Sequence, residues 1–541
     1  MTHWKFKIEQ WKIPLLLLWQ LLSIYLMTVG AWSPWVAWVN VGVIILFILL
    51  RPTFEGLLLV AGSIAFYVVL PNNYSDTLSM WRPVVGVLFV KAVYEWFSSQ
   101  RSQSLKTTFF AAVKNVVSWC KVGYWYEKLG VALFVLGMLS LLLARYPLRG
   151  ASQLIFLLNT ALLYPVVVWA VKSREQFVRL LRYGALSTGT IIAIGYVQFT
   201  ATLFSVTYYF WQYWALRVAS LYYGLPLAKV LQYSNSWVTV QGEAKTLRMF
   251  SIMPSSHAFA MICVFFLAFA LPLLYARNSN GRENCADQKK WLWVGVTLAC
   301  LALIVSGTRG VWAGMVPVFI IVAAFYKWKS FRLTALLKPA LASMLLVIIL
   351  FEASPLLDRG FAWVRNAGGE GTLDRVESII NPEETSNAGR LAMWKAASKY
   401  ALQHPFGVGY ANFVVTLSTT ADNVSFDQAA SQENKLYQLP QRYVTAHSLY
   451  LQLLVELSVV GLILFGLFWF SFFYRMWEYI RSRQYEINPE TVYVASLCVV
   501  FLWFLAYGVF DVTWLNDKIL LYTFLALGLV RVVVHDSYRA D

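Results

Sequence analysis

The sequence predicts an all-α polytopic membrane protein with about fourteen transmembrane helices and one large extracytoplasmic loop. Three observations carry this expectation. Hydrophobic residues fill 59% of the 541 positions and charged residues only 13%, where a soluble chain carries about a quarter. Runs such as Ile13–Gly30 and Phe259–Ala276 hold no charge and are long enough to cross ~30 Å of hydrocarbon. The connections between runs alternate between rich and poor in Lys and Arg. A mean hydropathy of +0.59 excludes a water-soluble enzyme, a secreted module and a disordered scaffold.

Hydropathy sets the spans in order at 13–30, 32–50, 54–70, 81–97, 127–144, 151–171 and 181–204, then 256–276, 291–306, 310–326, 336–352, 447–473, 491–510 and 517–534. The fourth carries Lys91 and Glu95, which is unusual in hydrocarbon. The first follows Lys5, Lys7 and Lys12 like a signal peptide, but no small-residue cleavage site follows it, so it reads as a retained helix. Basic residues cluster at 5–12, 101–128, 172–182, 277–290, 327–338 and 475–483, whereas 71–80 and 511–516 have none. Cytoplasmic connections collect Lys and Arg, so both termini are expected in the cytoplasm.

Net charge is +17. The same loop bias accounts for it, and no nucleic-acid partner is expected. The 24 Trp and 30 Tyr suit the two interfacial belts, where amphipathic rings sit among headgroups. Cys263, Cys300 and Cys498 lie in apolar runs, and Cys120 and Cys285 in basic connections, so neither a metal spacing nor a disulfide pair is visible.

Two long segments are then expected outside. Residues 205–255 are rich in aromatics, from Tyr208 to Tyr223, and read as interfacial helices. Residues 353–446 are the long polar stretch, and a loop of that length between membrane helices is functional or disordered. Within it, Ala388–Gln403 reads as a helix stopped by His404, Pro405 and Gly407.

Outward basic residues are the anomaly. Arg309 sits in Ser306-Gly-Thr-Arg-Gly310, a turn between spans. A guanidinium there either grips phosphate oxygens in bidentate fashion or snorkels to lipid headgroups. Arg390 lies in Ser386-Asn-Ala-Gly-Arg-Leu-Ala-Met-Trp394. With Ser386 or Asn387 as cap it falls in the first helical turn, where free N–H groups favour anions; the plainer alternative is a solvated helix residue. His447 stands at the mouth of the next span and could accept a hydroxyl proton near neutral pH or be a satisfied interfacial histidine. Glu456, nine residues on, needs a partner inside the span. Met253-Pro-Ser-Ser-His257 resembles the Pro-Ser-Gly-His element of membrane lipid phosphatases. Those enzymes need a histidine nucleophile after a Ser-Arg pair, and none follows Arg309. Glycine-rich phosphate loops and paired metal-binding carboxylates are absent too.

Four blocks in order resemble the O-antigen ligase and polymerase superfamily of bacterial envelope glycosyltransferases. They are Gly189–Phe204 with Gln198; Ser306–Gly310; Gly389–Trp394 with Pro405-Phe-Gly-Val-Gly409; and His447–Gly461. Ser458 stands where the ligase pattern has its first glycine, while Gly461 fits. The resemblance implies helices 1–100 outside the family core, a transmembrane core at 101–352, the large loop at 353–446 and closing helices at 447–541. It implies transfer of a glycan from an undecaprenyl-diphosphate-linked donor at the outer face of the bacterial inner membrane, without metal or cofactor and with inversion. The acceptor would be lipid A-core for a ligase, the reading the His447 pattern favours, or a lipid-linked glycan for a polymerase. A flippase or transporter of lipid-linked glycans is the reading from another class; its mark is charge deep within paired helices. Carried over by motif position, Arg309 and Arg390 would hold the diphosphate and His447 would be the general base, with Arg248, Trp394 and Glu456 as supporting residues.

Overall fold

The computed structural model describes residues 2–71, 78–99, 124–202, 244–276, 286–308, 385–413, 445–483 and 486–535, with 310, 314 and 315 and parts of 204–241. The first four helices are α1 (Thr2–Thr28), α2 (Val36–Leu50), α3 (Thr53–Ser63) and α4 (Trp81–Ser99). Next come α5 (Trp125–Ser140), α6 (Pro147–Ala161), α7 (Leu163–Ala170) and α8 (Arg174–Ala201). Short α9 (Thr207–Tyr213) and α10 (Ser220–Tyr223) lead to strands β1 (Val238–Gln241) and β2 (Ala244–Leu247). The chain closes with α11 (Ser256–Leu273), α12 (Ala286–Val305), α13 (Thr385–Gln403), α14 (Leu449–Ser482), α15 (Pro489–Tyr507) and α16 (Asp517–Val534).

Among the described residues, 8 helical stretches are long and apolar enough to cross a membrane. Nearly all of the span read at 310–326, all of 336–352, and the loop at 353–446 apart from 385–413 and 445–446 lie outside the described residues. The helical architecture is as expected, and the reading of 205–255 as interfacial helices needs one local correction. β1 and β2 form a two-stranded antiparallel hairpin, Val238 opposite Leu247, inside the segment read as interfacial helices. The run Val-Thr-Val at its start is β-branched and lacks helical apolar spacing.

The charges in α4 find structural partners. The Lys91 ammonium donates to the carbonyls of Ile48 (2.5 Å) and Leu49 (3.2 Å) in the last turn of α2, where carbonyls lack intrahelical partners. The Glu95 carboxylate accepts from the Thr53 hydroxyl (2.6 Å) at the start of α3. Deeper in the bundle, Arg531 of α16 pairs with Glu127 of α5 at 3.0 Å.

Central helix α11 is almost wholly buried. It rests on α8, where Gly184, Gly189 and Gly195 meet the rings of Phe269, Phe266 and Phe259; small residues let membrane helices approach closely. Phe265, Phe501, Phe504, Trp514 and Tyr522 then tie α11 to α15 and α16 in one aromatic cluster.

Helix α14 is broken. Ser458 has φ 65° and ψ −177°, a region open essentially only to glycine. The break strips the carbonyls of Val455 and Glu456 of their helical partners, and the loop after α13 supplies new ones. The N–H groups of Val408 and Gly409 donate to Val455 O (3.0 Å) and Glu456 O (3.1 Å). Gly407 and Gly409 adopt φ 82° and 90°, and a Cβ on Gly407 would lie 2.6 Å from Glu456 O. The glycines of Pro405–Gly409 are therefore dictated by the broken helix. Ser458→Gly should relieve ~1–3 kcal/mol of backbone strain, less about 1 kcal/mol for the lost Oγ contact to Val460 N. Thermal unfolding of the purified protein should show an equal or higher midpoint for this variant; a clear fall contradicts the strain.

Candidate active site

The segment before α11 is set by Gln198. Its side chain is fully buried, and its Oε1 accepts from Ser251 N (2.8 Å) and Phe250 N (3.3 Å). Ser251 takes φ 56° and donates its hydroxyl to Ile191 O at 2.5 Å. Met249 N donates to Val305 O at 3.2 Å, drawing the Arg248 segment to the end of α12. Ser255 caps α11 by accepting from Ala258 N at 3.2 Å. His257 is thereby fixed in the first turn, its Nδ1 hydrogen-bonded to the Tyr507 hydroxyl.

His447 arrives from another direction. It has φ 46°, just before Ser448 caps α14. Leu449 N donates to Gly508 O at 2.7 Å, and the Tyr450 hydroxyl to Leu505 O at 2.6 Å. The start of α14 is thus stitched to the end of α15. Trp394 of α13 donates its indole N–H to His447 O at 3.3 Å and packs near Phe510, 6.4 Å between centroids. These bonds gather the starts of α11 and α14 with the end of α15 at one end of the bundle.

Asp511, just past α15, is the carboxylate of this group. Its Oδ1 accepts from Thr513 N (3.0 Å) and the Thr513 hydroxyl (2.6 Å), and His257, His447 and Arg390 all lie in electrostatic reach. Burial works against its ionisation, but His257, the Thr513 hydroxyl, His447 and Arg390 outweigh it and hold the carboxyl below its ordinary range. Arg248 also acts on His257 and Tyr507. Arg390 is half-buried and makes no direct ion pair among the described residues. Such a guanidinium is suited to an incoming anion.

Burial lowers the basicity of His447; Asp511 opposes that shift and Arg390 adds to it. His447 Nδ1 is buried with no hydrogen-bond partner among the described residues. An orphaned ring nitrogen among charged groups calls for an explanation, and a group waiting for substrate supplies one.

The structure brings together Arg248, Arg390, Trp394 and His447 of the expected residues. Arg309 lies outside the described residues, but its neighbours Thr308 and Gly310 touch this group. The Thr308 hydroxyl donates to Ser256 Oγ at 3.2 Å, and Gly310 lies against the Tyr507 ring. Glu456 is occupied elsewhere. Its carboxyl faces the backbone of Ala411 and Phe413 and the Gln452 amide, and so fastens the loop to the broken helix. Helix α13 opens at Thr385, so Ser386 and Asn387 lie inside it and not at its cap. Arg390 is on the second turn, and the expectation of a first-turn position is corrected. Asp511, Tyr507 and the placement of His257 escaped the sequence reading. The lack of any basic residue in 511–516 was the one signal present.

Residues 294–466 match a family model described as O-antigen ligase. Over this stretch the chain is similar to O-antigen ligases. The match runs from α12 into α14 and takes in Arg309, Arg390 and His447, three residues that the sequence resemblance singled out. Members of this superfamily of ligases and polymerases are membrane glycosyltransferases. No curated protein matches the chain. Arg248, His257 and Asp511 fall outside the O-antigen ligase match, yet lie with Arg390 and His447 in one electrostatic group.

Because the shift at His447 is downward from 6.5, its imidazole should stay neutral at pH values where an exposed histidine is half protonated. A ¹⁵N-histidine NMR titration of the purified protein, assigned with His447→Gln, should give a midpoint below 6.5. A midpoint above that value contradicts the burial.

Proposed function

We propose that this protein transfers a glycan from an undecaprenyl-diphosphate-linked donor to an acceptor hydroxyl at the outer face of the bacterial inner membrane. The observation that carries the reading is the gathering of Arg248, Arg390 and His447 around Asp511 at one end of the bundle. The opposite end holds Arg174, Arg475 and Arg483, each paired with a glutamate, as expected of a cytoplasmic face. In this orientation both termini are cytoplasmic, and fourteen helices, 1–100 among them, span the membrane around the loop at 353–446.

The roles follow from charge. As the sugar–oxygen bond breaks, negative charge builds on the departing diphosphate, and fixed guanidiniums placed there lower the barrier. Arg309 and Arg390 take this role, with Arg248 as a supporting charge. His447, its basicity lowered by burial and its Nδ1 without a hydrogen-bond partner among the described residues, removes the acceptor proton as the hydroxyl oxygen attacks the anomeric carbon from the side opposite the diphosphate. The sugar inverts. The donor's own diphosphate bond supplies the driving force, and no metal or cofactor enters the scheme.

The ligase reading, with lipid A-core as acceptor, is favoured by the His447–Gly461 pattern; extension of lipid-linked repeats is the polymerase alternative. The envelope glycan of a deletion strain separates them. Unattached polymer indicates a ligase, and single repeats indicate a polymerase. For the site itself, Arg309→Lys and Arg390→Lys should each lose most transfer although charge is kept, since lysine cannot make the bidentate grip. Normal transfer by either folded, membrane-inserted variant removes that residue from the site.

A further inference from the structure

A cavity of about 530 Å³ lies at the end of α14 far from His447. Tyr124, just before α5, lines it. So do Arg475, the first charge of α14 after Glu456, and Val534, the last residue of α16. Three apolar runs thus give way to polar sequence around it, which is the level of lipid headgroups. Two arginines are braced there. Arg475 donates to Glu478 at 2.7 Å and lies over the Tyr124 ring at 4.8 Å. Arg483 donates to Glu486 at 3.3 Å and lies over the Tyr479 ring at 5.3 Å. Tyr124 is fixed in turn. Arg531, paired with Glu127, lies against the same ring at 4.6 Å, and the Tyr124 hydroxyl meets His535 Nδ1 at 3.2 Å. Side chains held in this way lose little freedom when a ligand arrives.

The charge pattern of the wall selects the ligand. Two guanidiniums and two carboxylates line the cavity and cancel. A purely anionic headgroup would meet Glu478 and Glu486 as well as the arginines, and like charges repel. Guanidiniums take phosphate oxygens; the bond to Glu478 uses one of the five N–H donors of Arg475. Carboxylates accept from an ammonium, and the Ser482 hydroxyl, which donates to Tyr479 O at 2.8 Å, keeps its oxygen as a further acceptor. A trimethylated ammonium has no N–H to give, and the tyrosine rings that could hold one already face Arg475 and Arg483. We propose that this cavity binds a phospholipid headgroup of the phosphoethanolamine class, its phosphate on Arg475 and Arg483 and its primary ammonium on Glu478 and Glu486. The volume is within the roughly 300–1,000 Å³ of small-molecule sites. None of these residues has a part in glycan transfer, so the site stands apart from that reading.

The test titrates the purified full-length chain in detergent with dioleoyl phosphatidylethanolamine, phosphatidylglycerol or phosphatidylcholine and reads bound lipid by native mass spectrometry. The wild type should bind the ethanolamine lipid roughly three- to tenfold more tightly than either of the others, the worth of one charge-assisted hydrogen bond at a half-exposed site. Glu478→Gln should remove most of the preference over phosphatidylglycerol. Arg475→Gln should weaken the ethanolamine lipid by a similar factor, and Arg475→Lys should recover part of the loss. Equal affinities in the wild type, a preference for phosphatidylglycerol, or an unchanged preference in Glu478→Gln overturns the proposal. Should Arg475→Gln not fold, Glu478→Gln decides alone. Water-soluble glycerophosphoethanolamine separates a lipid from a free ligand: weaker binding than the lipid supports the proposal, and equal binding overturns the assignment to lipid.

Discussion

A single carboxylate lets two histidines and two arginines share one end of this bundle. Asp511 is buried, and an unpaired charge there would cost several kcal/mol. It is held by the amide and hydroxyl of Thr513 and faced by His257, His447 and Arg390. Without it, the guanidiniums of Arg248 and Arg390 would bring uncompensated positive charge to a medium where such forces are far stronger than in water. With it, they are preorganised before any anion arrives, and no reorganisation is needed when charge develops on a leaving group. The three helix ends that converge on Asp511 exist in this arrangement because Leu449 N and Tyr450 bond to the carbonyls of Gly508 and Leu505.

Much of the fold was legible in the sequence because hydrocarbon imposes a length on every crossing helix. Eight helical stretches among the described residues are long and apolar enough to cross, while the spans read at 32–50 and 54–70 meet only the shorter apolar helices Val36–Leu50 and Thr53–Phe66. Lys91 and Glu95 made the fourth span look weak, yet they cap the ends of α2 and α3, a tertiary use of charge that hydropathy cannot see. The hairpin at 238–247 was missed because aromatic residues upstream dominated the reading of that segment. Ser458 was visible as a departure from a glycine pattern, and its φ of 65° supplies the physical reason glycine suits that position.

The site was partly legible. Arg390 and His447 lie in short motifs whose residue types name their chemistry, and the structure sets both beside Asp511. His257 was noticed for its Pro-Ser-Ser-His setting, but the phosphatase comparison offered it no partner. Its partners, Tyr507 and Asp511, are about 250 residues away in sequence, and only the packing of α11 against α15 joins them. A lone aspartate in Asp-Val-Thr reads as an ordinary turn. Glu456 had the opposite fate: a buried carboxylate in a span invites a functional role, but this one fastens a loop to a broken helix.

The central claim is that charge-binding and proton removal are separate tasks held by separate residues. Binding of labelled lipid-linked donor to His447→Ala, measured beside its transfer rate, tests this most directly. The account predicts donor affinity near that of the wild type, because the arginines still face the diphosphate, with transfer reduced by ~10² to 10⁴-fold. Loss of donor binding in step with transfer, or transfer at a near wild-type rate, would contradict it.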